Sequence, residues 1–113
     1  MKTIDVTFNE DLDNYEHWID MGWGVNRYEN DDIFPIISMR DDIHDTLVSH
    51  RDDINDKSVL RLKELDKKWL VFLEKNRDPS FRFNLSNFNE PKEKWWWWID
   101  RLDELTSEQK STL

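Results

Sequence analysis

Lys2-Thr3-Ile4-Asp5-Val6-Thr7-Phe8 opens the chain on strict alternation. Ile4, Val6 and Phe8 fall on one side, and Thr3, Asp5 and Thr7 on the other. Successive side chains of a strand point to opposite faces, so this spacing predicts a half-buried strand over about 2–8. Ser80 to Leu85 alternates in the same way, with Phe81, Phe83 and Leu85 set against Arg82 and Asn84. Pairing 2–8 with 80–85 gives a small two-stranded β element, and the fold class becomes mainly α within an α+β domain.

Elsewhere the apolar period is that of a helix. Tyr15, Trp18 and Ile19 suit a short helix of about 11–20, ended by Gly22 and Gly24. Pro35 opens a helix of about 35–55, with Ile36, Met39, Ile43, Leu47, His50 and Ile54 on one side. Val59, Leu62, Leu65, Trp69, Phe72 and Leu73 form the stripe of a helix of about 58–76, stopped by Pro79. Leu60 and Val71 lie off that stripe, which predicts a central helix packed on two sides.

Lys94-Trp95-Trp96-Trp97-Trp98-Ile99-Asp100-Arg101-Leu102 is the densest apolar block. Read as an α-helix of about 90–105, it aligns Trp95, Trp98, Ile99, Leu102 and Leu105. Trp96 and Trp97 fall outside that stripe. Either the chain wraps this helix on several sides, or these two rings anchor a partner, as exposed tryptophans do at binding hot spots. Asp100, Asp103 and Glu104 argue against a membrane-interface belt.

A chain of 113 residues without cysteine is expected to be one domain over 1–113, with a frayed tail at 106–113. The N-terminal stretch carries several acids and no apolar signal region. No run approaches the ~18 apolar residues of a membrane span, so no membrane role and a cytoplasmic location are expected. The formal charge is −9 and is unevenly spread: residues 1–56 hold 15 acidic against 4 basic residues, and residues 57–113 hold 10 against 12. Such an acidic half disfavours a nucleic-acid backbone and favours a basic partner.

The helix read over 35–55 sharpens this point. Opposite its apolar stripe lie Asp41, Asp42, Asp45, Asp52, Asp53 and Asp56, with no lysine among them. Like charges four residues apart each cost a few tenths of a kcal/mol, and aspartate is a poor helix former. This face therefore opposes local stability. It is either solvated and paired with Arg61, Lys63 or Lys67, or a docking surface for a Lys/Arg-rich patch.

No catalytic constellation stands out. His17, His44 and His50 have no motif around them, and His50 falls within an apolar stripe. His44 and His50 are six apart and share no tight metal-binding face with Asp41 and Asp45. Gly22 and Gly24 are too few for a phosphate loop. The expectation is a non-catalytic protein with neither cofactor nor metal: an acidic binding module, most concretely a small inhibitor of the immunity or antitoxin kind seated on a nuclease-like toxin. Its partner-binding residues would be the six aspartates with Trp96 and Trp97. The alternatives are a structural or regulatory subunit assembling through aromatic surface, or a solvated domain with no site readable from sequence.

Overall fold

The computed structural model describes residues 2–21, 33–76 and 89–110, with backbone alone for 33–35, 76, 100, 101 and 103. Three helices, α1 (Ile4–Asp20), α2 (Ile33–Ser49) and α3 (Asp56–Asn76), are followed by a 3-10 segment, Trp95–Glu104. No strand occurs among the described residues.

The two-stranded pairing is thereby overturned: residues 4–8 are the first turns of α1, and the partner stretch 80–85 lies outside the described residues, as do Gly22 and Gly24. The physical reason is period ambiguity. Ile4 and Phe8 are four apart and satisfy both a strand and a helix, so only Val6 separates the two readings. Val6 is exposed, and the stripe continues as Phe8, Leu12, Tyr15 and Ile19, all buried. Thr3 caps the helix, its hydroxyl accepting from the Val6 N–H at 3.1 Å, with Asp5 in the first turn facing the positive dipole end. The minor helix expected at 11–20 is the second half of this element.

α2 buries Ile36, Ile37, Arg40, Ile43 and Leu47, and stops at Ser49 rather than running to 55. A single 3-10 turn, Arg51–Asp53, follows, and Arg51 Nη1 donates to the Ile54 carbonyl at 3.1 Å. His50, placed by the sequence in the apolar stripe, is exposed here. Asn55 favours a new helix start over continuation of α2, because its side chain can take up a backbone N–H two residues on. Asn55 starts α3, its Oδ1 accepting from the Lys57 N–H at 3.1 Å.

α3 buries Val59, Leu62, Leu65, Trp69 and Leu73, as its stripe predicts. Leu60 and Val71 are 56% and 54% exposed, so the helix packs on one side and not on two. It runs parallel to α1. Asp5 accepts from the Asn55 N–H and the Ser58 hydroxyl, each at 2.8 Å, while further along Arg61 pairs with Asp13 and Lys68 with Asp20. α2 lies antiparallel to α1, with Thr46 and His50 beside Thr3 and Thr7.

The tryptophan segment closes the core with i to i−3 hydrogen bonds, including Trp97 N–H to the Lys94 carbonyl at 2.9 Å and Leu105 N–H to the Leu102 carbonyl at 3.1 Å. Three residues per turn place Trp96, Ile99, Leu102 and Leu105 on one ridge. All four are buried, together with Trp95, while Trp97 and Trp98 are half-buried. An α-helical wheel puts Trp98 in the stripe and Trp96 outside it; the 3-10 period reverses them. Beyond it, Thr106 and Gln109 bond reciprocally and Lys110 reaches Glu74 at 3.1 Å, which ties 106–110 back to α3. No described helix is long and apolar enough to cross a membrane.

Candidate functional site

Charge is handled in two ways in this molecule, and the contrast defines the candidate site. Where elements meet, carboxylates are engaged. The strongest case is central: Arg40 donates to both Asp66 oxygens, Nε at 2.9 Å and Nη2 at 2.8 Å, and the Tyr15 hydroxyl donates to Asp66 Oδ1 at 2.7 Å. All three residues are essentially solvent-free. Burial pulls the Arg40 pKa down, but the Asp66 charge and hydrogen bonds outweigh it and the net shift is upward. Burial and then the Asp66 charge hold the Tyr15 hydroxyl well above its ordinary value of 10.0. The guanidinium also lies 4.0 Å from the Trp96 ring centroid, a stacking that couples α2 to the tryptophan segment.

Asp41 belongs to this engaged class. Its Oδ1 accepts from the Trp96 indole N–H at 2.7 Å, and both its oxygens accept from the Trp97 indole N–H, at 2.9 and 3.0 Å. Lys94 Nζ stands 3.9 Å away. The sequence placed Asp41 on a solvent-facing acidic surface; the structure places it at a contact between α2 and the tryptophan segment. Trp96 is buried and Trp97 turns its polar edge inward, so neither offers a fully exposed ring. His44 stacks on Trp96 with centroids 5.4 Å apart. Burial, then Arg40 and Lys94, lower its pKa against the opposing pull of Asp45 and Asp41, so its ring is neutral at pH 7.

The other aspartates are treated differently. Asp42 and Asp45 are exposed on α2, and Asp52 and Asp53 are exposed on the turn after it. The carboxylates of Asp42, Asp45 and Asp52 have no ion pair or side-chain hydrogen bond among the described residues. Asp53 is 3.8 Å from His50 Nδ1, and Asp56 accepts from Arg51 at 2.7 Å while remaining 91% exposed on its side chain. Arg61, one cation that sequence offered as a neutralising partner, is taken by α1 through Asp13. The break at Ser49 leaves Asp41, Asp42 and Asp45 on α2, Asp52 and Asp53 on the turn and Asp56 at the start of α3, in place of the single helix face expected.

Sequence reasoning missed Asp11. Its sequence context shows only a minor helix, yet α1 sets it within reach of the Asp42 charge on α2. Burial, then the Asp42 and Glu10 charges, raise its pKa above 3.8. Its protonated form is favoured by the fold. Its contribution is therefore fully present below the unfolded value and lost as pH rises through the folded one, which makes ionised Asp11 a cost at neutral pH. Asp11→Asn is expected to raise the melting temperature slightly at pH 7 and to leave it unchanged at pH 3; thermal denaturation at the two pH values checks this. Neither protein-family models, nor curated proteins, nor solved structures match this chain, and its function has to be argued from its own residues.

Proposed function

We propose that the chain is a non-catalytic binding module whose acidic surface, Asp42, Asp45, Asp52 and Asp53 with Asp11 alongside, seats on a basic surface of a partner protein. One observation carries the reading: the fold finds partners for Asp5, Asp13, Asp20, Asp41 and Asp66, but leaves Asp42 unpaired and crowds it toward Asp11. Like charges held together without compensation oppose folding, and a complementary cationic surface removes that opposition on binding. The most concrete version is a small cytoplasmic inhibitor, immunity- or antitoxin-like, that covers the phosphate-holding cleft of a nuclease-type toxin. Such a cleft is basic by necessity. Asp41, Trp96 and Trp97 fall outside the proposed surface because they bond one another inside the fold, and Asp56 because Arg51 holds it at 2.7 Å, whereas Asp53 stands 3.8 Å from His50, beyond hydrogen-bond range.

The test is capture from host lysate at low and moderate salt, with the Asp42→Asn/Asp45→Asn/Asp52→Asn/Asp53→Asn variant beside the wild type. These side chains are exposed, so the variant is expected to fold. A basic protein held by the wild type, released by salt and lost from the variant is the expected result. Equal retention by both, or retention by neither, sinks the proposal.

A further inference from the structure

The cationic counterpart of this acidic surface lies on the exposed side of α3. A groove of about 400 Å³ runs along α3 and ends at the C-terminal turn. That volume is within the range of small-molecule sites. Its floor is apolar, made by Leu70 and the exposed Val71. Lys63, Lys67 and Lys110 line it, in a protein whose net charge is −9.

The charges around the groove do not cancel. Glu74 is matched by Lys110 at 3.1 Å. Asp66, at the inner wall, is neutralised by the bidentate Arg40. What remains is Lys63 and Lys67, exposed, one helical turn apart and without an anionic partner among the described residues. A like-charged pair four residues apart on a helix is mildly unfavourable by itself. Next to it, Val71 presents apolar surface to water.

We propose that this groove binds a small anionic amphiphile, a free carboxylate carrying an aliphatic chain. The carboxylate bridges the Lys63 and Lys67 ammonium groups, and the chain lies on Leu70, Val71 and the methylene stems of the lysines. Both halves of the ligand are required by the geometry. An uncharged chain leaves the lysine pair unmatched, and an anion without a chain leaves the floor wet.

The experiment is calorimetric titration of the full chain with octanoate, octanol and octyltrimethylammonium. Saturable binding of octanoate alone is expected. Lys63→Gln/Lys67→Gln, at exposed positions and checked for fold by circular dichroism, should weaken it roughly tenfold. Val71→Asp should weaken it as well, by placing a like charge and removing apolar floor. Equal binding of the alcohol or the cation overturns the proposal, since the lysines then select nothing. Unchanged octanoate affinity in the lysine variant overturns it too, and so does failure of octanoate to saturate.

Discussion

Asp66→Ala is expected to cost about 3–5 kcal/mol, because it strips the partner from a buried guanidinium rather than removing an ion pair cleanly. Arg40 has no other carboxylate bond among its described hydrogen bonds, and its Nη1 is already buried without a partner. The same change leaves the Tyr15 hydroxyl without its acceptor. A domain of this size has about 5–15 kcal/mol in total, so the single variant forfeits a large share of the fold's stability. Arg40→Met/Asp66→Leu keeps volume while removing both charges. It is expected to lose much less than Asp66→Ala, since no desolvated charge remains. Urea denaturation of both variants checks this; equal losses would mean that the pair matters through packing and not through charge. Tyr15 adds a pH signature. Its folded pKa is raised, so its contribution is whole below the unfolded value near 10 and is lost as pH rises above it. Stability should therefore fall more steeply above about pH 10 in the wild type than in Tyr15→Phe.

The legibility of this fold in its sequence divides along physical lines. α3 could be read because its apolar residues, Val59 to Leu73, recur at the helical period over about four turns, and no other period fits them. α1 could not, because Ile4 and Phe8 agree with two periods, and the deciding residue, Val6, is apolar yet exposed. The tryptophan stretch was recognised as core-forming, but the α period assigned Trp98 to the stripe and Trp96 to the outside; the tighter 3-10 turn reverses them. Charged residues were the least legible. Arg40 and Asp66 are 26 apart in sequence, and Asp41 and Trp96 are 55 apart. Local rules count neighbours three and four residues away, so they score Asp41 by its acidic surroundings and miss the indoles that engage it. The same rules did identify Asp42, Asp45, Asp52 and Asp53 as residues lacking local compensation, and their carboxylates remain solvent-facing in the fold.

Asp41 tests the division between engaged and unengaged acids most directly. Asp41→Ala withdraws the acceptor from two indole N–H groups at once, one of them on the buried Trp96. A hydrogen bond to a charged group contributes about 1.5–3 kcal/mol, so with two bonds sharing one carboxylate a loss of about 3 kcal/mol is expected. Asp41→Asn retains one carbonyl oxygen and should lose roughly half as much. Asp42→Ala, one residue away but exposed and unpaired, should stay within about 0.5 kcal/mol of the wild type or gain slightly by relieving Asp11. Near-ultraviolet circular dichroism distinguishes the mechanism, since loosening of the tryptophan segment alters the coupled Trp69, Trp95 and Trp96 rings, whose successive centroids are 5.4 and 5.8 Å apart. If Asp41→Ala and Asp42→Ala proved equally mild and left the aromatic signal intact, Asp41 would rejoin the aspartates of the proposed surface. A strong loss at Asp41 beside none at Asp42 means that adjacent residues of one acidic run do opposite jobs. The first fastens the core, and the second stays exposed, as the docking surface proposed above requires.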